Sequence, residues 1–308
     1  KSMGKKKKKK KRTGWVVVLF LALLAGALFI PLTRHWEAIR PPTPAGTPPG
    51  AGKSAPLDLL PPDVATRPPD ARPRSPRVPA WKVAILIDDI GHDLRPLREL
   101  LRLGIPLNFA ILPYKRHSRE AAEMIHDAGQ ELLLHLPMEP RGYPGEDPGE
   151  GALLVALSDA EIARRVERAL DAVPHIRGVN NHMGSAFMAE EGKVSAALAV
   201  IGKRNLYFVD SRTTANSRVE ALAVLAGVPF AARDIFLDNG RDAGATLDIL
   251  KQAVRKGPPG ARNVLVMIGH PYPETLAALR EALTFLKVEG TETVHLSSLL
   301  LEGEPLRR

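Results

Sequence analysis

The chain has 308 residues, 44% of them hydrophobic, with 43 basic and 34 acidic side chains and no cysteine. Without cysteine there is no disulfide framework, thiolate nucleophile, iron–sulfur cluster or thiolate zinc site, so any metal must rest on His, Asp or Glu. The net charge of +9 resembles a nucleic-acid signal only until it is located: Lys1, Lys5 to Lys11 and Arg12 put nine basic residues in the first twelve, leaving 34 against the 34 acidic ones. A neutral body behind a basic tail argues for a membrane-proximal segment and against a nucleic-acid partner.

Residues 1–14 thus read as a basic cytoplasmic tail. Trp15 to Leu32 is an uncharged, almost wholly apolar run of eighteen; as a helix it would span about 27 Å, enough to cross the hydrocarbon of a bilayer. The lysines before it hold the N-terminus in the cytoplasm, which predicts a single-pass anchor in the inner (cytoplasmic) membrane and a periplasmic body. A cleaved signal peptide is the alternative, since Ala25-Gly26-Ala27 resembles a cleavage site. Leu28, Phe29, Ile30 and Leu32 prolong the apolar run past it and favour the anchor. Residues 33–80 hold thirteen prolines between Pro41 and Pro79 and almost no hydrophobic periodicity. They read as a linker, reaching on the order of 150 Å at ~3.1 Å per residue if fully extended.

Residues 81–302 carry the folded domain and 303–308 a short tail. Aliphatic or β-branched runs at Val83 to Ile87, Leu107 to Leu112, Glu131 to Leu136, Gly178 to His182, Leu206 to Val209, Phe230 to Leu237 and Val264 to Ile268 predict strands. Each is followed by a helical pattern: Leu94 to Leu103, Ser118 to Ala128, Ser158 to Val173, Gly192 to Lys203, Asn216 to Leu225, Ala243 to Val254 and Pro273 to Leu286. Seven such units and a last apolar segment, Val294 to Leu300, predict a parallel α/β sheet closed or nearly closed into a (β/α) barrel of seven or eight strands. An open doubly wound sheet is the alternative, but no Gly-x-Gly-x-x-Gly follows the first strand.

The carboxyl ends of the strands carry the chemistry in such folds. Here they hold Asp88-Asp89, His135, Asn180-Asn181-His182, Asp210, Asp238 and His270. One such residue would be an ordinary cap or a satisfied core group; the whole set on one rim points to a site. Imidazole and carboxylate ligands suit zinc, or another divalent transition ion, with a position left open. Such an ion acidifies water and polarises a carbonyl, while a nearby carboxylate takes a proton and an imidazole protonates the leaving amine. His117, His126 and His175 lie in or beside helices and read as surface groups, and His295 as structural; His92, beside Asp89, could line the cleft. Arg141 to Gly151, rich in Gly and acidic residues, reads as a mobile loop over the rim.

Five segments in order resemble the divergent polysaccharide deacetylases, relatives of the NodB-type carbohydrate esterases. They are Ile85-Leu86-Ile87-Asp88-Asp89-Ile90-Gly91, His135-Leu136-Pro137-Met138-Glu139-Pro140, Asn180-Asn181-His182-Met183-Gly184-Ser185, Phe208-Val209-Asp210-Ser211 and Ile268-Gly269-His270-Pro271. The resemblance spans Lys82 to Leu301 and implies a NodB-type barrel removing N-acetyl groups from a cell-wall or surface amino-sugar polymer, such as a peptidoglycan-like polysaccharide. It implies Asp88 as base, Asp89 and His135 as metal ligands and His270 as general acid. The family's second motif has two histidines four apart; here Glu139 stands four after His135, so His182 is taken as third ligand and Glu139 as the alternative. Asp210, Asp238, Glu139 and Asn181 are then candidates to orient these groups or to touch sugar. The altered motif keeps open a non-catalytic glycan-binding protein, and the same residues would serve an amidase or esterase of another acyl group.

Overall fold

The computed structural model describes residues 81–259 and 263–301. The tail 1–14, the span 15–32, the linker 33–80 and the tail 303–308 lie outside the described residues. Among the described residues no helix is long and apolar enough to cross a membrane.

Strands β1 (Lys82–Ile90), β2 (Asn108–Ile111), β3 (Glu131–Met138), β4 (Gly178–Met183) and β5 (Tyr207–Asp210) lie side by side in sequence order, with β8 (Val264–Gly269) on the other flank of β1, all parallel. Helices α1 (Leu94–Leu101), α2 (Ser118–Asp127), α3 (Asp159–Ala172), α4 (Glu191–Lys203), α5 (Val219–Ala226), α6 (Ala243–Lys256) and α7 (Pro273–Glu289) make the crossovers. Asp93, Ser158 and Asp242 cap α1, α3 and α6 by accepting a backbone N–H of the first turn.

The segment predicted as one strand, Phe230 to Leu237, is two: β6 (Phe230–Ala232) pairs with β5, and β7 (Ile235–Phe236) pairs with β8. Between them Arg233 N donates to Asp210 O at 2.9 Å and Asp234 N to Val266 O at 2.8 Å. One short segment therefore bridges both edges of the curled sheet, which leaves no reversal of strand order and removes the open doubly wound alternative. The last apolar segment forms β9 (Glu292–Thr293), beside the start of β1, and helix α8 (Leu296–Leu300).

Alternation along the strands sorts side chains into two layers. Val83, Ile85 and Ile87 pack in the large cluster under the helices, whereas Ala84 and Leu86 join Ala110, Leu133, Tyr207, Val209, Val266 and Ile268 in the interior cluster. Gly178 is required by this interior: a Cβ there would lie 2.3 Å from the Tyr207 ring. The Tyr207 hydroxyl donates to Glu131, which also accepts from the Ser297 hydroxyl and, at 2.8 Å, from Ser297 N. These bonds tie α8 across the amino-terminal end of the barrel, and chemistry is left to the other end.

Candidate functional site

The same alternation decides which strand-end residues meet. Counting on from the interior residues Ala84 and Leu86 gives Asp88; from Leu133, His135; from Val266 and Ile268, His270. Gly178, against the interior Tyr207 ring, gives Asn180 and His182 in β4. Phe236 packs on the interior cluster and Leu237 on the outer one, so Asp238 turns inward.

Asp89 has the wrong parity and reaches the site by a bulge. β1 advances from Ile87 to Ile90 while its partner β2 advances only from Phe109 to Ile111, and Asp89 takes a left-handed φ of 58°. The extra residue lets two consecutive carboxylates face one cavity. Asp89 Oδ1 lies 3.2 Å from His135 Nε2 and 3.1 Å from His182 Nδ1, and those two nitrogens are 3.1 Å apart. Oδ1 is nevertheless buried with no hydrogen bond, because neither ring presents an aligned N–H to it. A tetrahedral zinc site with bonds of about 2.0–2.1 Å has ligand-to-ligand edges of roughly 3.3–3.4 Å, close to the size of this triangle. Asp89, His135 and His182 thus fit a divalent cation.

The surrounding bonds orient the three groups. His135 Nδ1 donates to Asn180 Oδ1 at 2.8 Å, which turns Nε2 toward Asp89; Asn180 Nδ2 donates to Asp88 Oδ1 at 2.8 Å and to Ser211 Oγ at 3.2 Å. Burial pulls His135 down, but the facing carboxylates of Asp88 and Asp89 outweigh it and push it up to about 9. For Asp89 burial acts upward, yet the two imidazoles hold its carboxyl well below the ordinary range. Burial, joined by the charge of His135, lowers His182 against the opposing pull of Asp89. Asp88 is raised, because burial outweighs the attraction of His135 and His270.

Across the cavity His270 Nδ1 pairs with Asp238 Oδ1 at 2.9 Å, and Asp238 Oδ2 accepts from His270 N and Thr275 Oγ1, each at 2.6 Å. Gly269 lets Asp238 pack this closely, for a Cβ there would meet Asp238 Oδ2 at 3.2 Å. His270 Nε2 is left facing Asp89 Oδ2, 3.9 Å away. Burial lowers His270, but the bond to Asp238 and the charges of Asp238, Asp88 and Asp89 raise it on balance. Burial raises Asp238, and its bonds from His270 and Thr275 reverse that and lower it.

Three other candidates anchor loops instead of joining the cluster. Asn181 accepts from Ser211 N at 2.8 Å and donates to Met183 O at 2.8 Å and Thr213 Oγ1 at 3.3 Å. Asp210 accepts from Arg212 N at 2.7 Å and from the Ser217 side chain, and burial raises its pKa. Glu139 accepts from Val155 N at 2.7 Å. Its spacing explains its absence from the triangle: β3 continues to Met138, and four residues of strand advance roughly 13 Å where four residues of helix return to one face. Of the remaining histidines, His92 is exposed, His117 pairs with Glu120, His126 and His175 stack on each other, and His295 contacts Gln130. The loop Arg141 to Gly151 begins with Arg141 N donating to Ser185 Oγ at 3.0 Å. Asn180, which joins His135 to Asp88, stands in the strand-end set of the sequence without an assigned role, although its inward parity marks it.

A sequence model of the divergent polysaccharide deacetylases matches residues 85–300. The uncharacterized protein YibQ of Escherichia coli is 35% identical over 227 residues, 73% of this chain and 69% of that one. An uncharacterized protein of Haemophilus influenzae is 30% identical over 202 residues, 66% of this chain and 71% of its own. The crystal structure of uncharacterized protein ATU2773 from Agrobacterium tumefaciens superposes with a TM-score of 0.66 at 25% identity, covering 74% of this chain and 92% of that one.

Proposed function

The chain belongs to the divergent polysaccharide deacetylase family, and from that premise we propose that it is a metal-dependent hydrolase removing N-acetyl groups from a cell-wall or surface amino-sugar polymer, held outside the cytoplasmic membrane by residues 15–32. The observation that carries the metal part is the buried Asp89 Oδ1, without a hydrogen bond and equidistant from two imidazole nitrogens. Asp89, His135 and His182 would hold the ion, zinc by the nature of its ligands, which when bound polarises the acyl carbonyl and acidifies water. The remaining steps belong to side chains of this protein. Asp88, raised by burial and gripped by Asn180, would take the proton of the attacking water. His270, fixed at Nδ1 by Asp238, presents Nε2 to the cavity and would protonate the departing amine, which leaves poorly as an anion. The departure in the second motif, which favours a glycan-binding reading, is offset by His182; an intact ligand set beside both a base and an acid supports turnover.

Acetate release from acetylated amino-sugar polymers tests the reading. The parent protein should release acetate, lose the activity to a chelator and regain it with zinc. Asp88→Asn and His270→Ala should each lose about 10²- to 10⁴-fold in kcat while keeping the ion. No acetate from any such polymer, with undiminished glycan binding by both variants, would transfer support to the binding protein.

A further inference from the structure

His270 sits within a ladder of stacked groups. Its imidazole lies 6.1 Å from the Phe236 ring at 18° and 5.2 Å from the Tyr272 ring at 22°. Each aromatic ring carries a guanidinium: Arg233 Cζ lies 3.8 Å from the Phe236 centroid and Arg241 Cζ 3.6 Å from that of Tyr272. The two ends differ. Arg233 is half-buried and spends its N–H groups on Ser211 O at 2.7 Å and Arg212 O at 3.1 Å. Arg241 is exposed, and its guanidinium has neither a carboxylate nor a hydrogen-bond acceptor among the described residues. Several exposed arginines elsewhere find acids, as Arg95 does with Asp93, Arg204 with Glu167 and Asp171, and Arg280 with Glu99.

Arg241 also holds a left-handed φ of 46°, unfavourable for a side chain of its size. Strain beside a reacting group, at a residue whose side chain satisfies nothing within the fold, is a mark of a ligand contact. With its face on Tyr272, the planar fork is held in place and its N–H edge stays free for a carboxylate. Resting on the proposed action on an amino-sugar polymer, we infer that Arg241 on its Tyr272 platform binds a carboxylate of that polymer, and that the protein selects an acidic glycan over a neutral one. Because the guanidinium rests on Tyr272 and His270 itself faces Asp89, the carboxylate belongs to the sugar beside the one that carries the reacting acetamide.

The test is equilibrium binding by the full chain, which does not require turnover. The probes are oligosaccharides of alternating N-acetylglucosamine and N-acetylmuramic acid, with the carboxylates free or methyl-esterified, at equal length. One charge-assisted pair predicts about 10- to 100-fold tighter binding of the free acid, shrinking as salt is raised. Arg241→Gln should bring acid and ester within about threefold of each other, and Arg241→Lys, which keeps charge without the fork, should retain part of the preference. Both variants should melt with the parent. Equal binding of acid and ester by the parent, or an undiminished preference in Arg241→Gln, would overturn the inference. A failure to release acetate with the preference intact would count against the deacetylase reading alone.

Discussion

At the scale of single residues, the pair His270 and Asp238 makes the sharpest claim. His270 faces Asp238, Asp89 and Asp88, whose negative charges together overcome burial and keep its proton above the ordinary imidazole value. Removing one of those charges must therefore lower it. Asp238→Asn should shift the alkaline limb of the rate profile to lower pH, with the acid limb, assigned to Asp88, moving much less; a limb that stays in place would remove Asp238 from the proton path. The pair also acts on the fold. Lowered Asp238 adds stability above the ordinary carboxylate range that is lost as pH falls through its folded value, and raised His270 adds stability below the ordinary imidazole range that is lost as pH rises through its own. The sequence alone identifies both residues as strand-end groups. It leaves Asp210 and Asp238 as equal candidates to orient His270, because the choice between them depends on β7 pairing with β8 at the far edge of the sheet.

At the scale of elements, the strands and crossover helices were legible from hydrophobic period, and the rim from where each aliphatic run stops. The alternation of period two held more than was drawn from it. It places Asp88, His135, Asn180, His182, Asp238 and His270 inside, and turns Asn181 and Asp210 toward loop backbone. Two features resisted sequence reading for the same reason, since each breaks a regular element at residues that look regular. One is the bulge that carries Asp89 inward; the other is the break between β6 and β7. The interior also fixes a packing prediction. With Tyr207 Cε2 2.3 Å from any Cβ at residue 178, Gly178→Ala must displace a ring bonded to Glu131. It should cost about 1–3 kcal/mol in denaturant unfolding, as overpacked cores do. An unchanged midpoint would show that the ring moves freely and that Glu131 does not pin it.

For the whole molecule, the segregated charge is the guide to placement. Nine basic residues ahead of one apolar run predict that a reporter fused after Arg308 is active only outside the cytoplasm, and activity inside would remove the anchor. On the proposed reading of residues 33–80 as a proline-rich linker behind that anchor, the chain suits work on a polymer away from the membrane. The proposed hydrolase activity rests on one triangle of ligand atoms, assembled from a bulged β1, an unbroken β3 and the end of β4. Metal content measured by mass spectrometry on the purified parent, His182→Ala and Glu139→Ala tests it most directly. The parent and Glu139→Ala should each carry about one divalent ion per chain, and His182→Ala none. A parent that takes up no ion, or an ion lost with Glu139 and kept without His182, would contradict it.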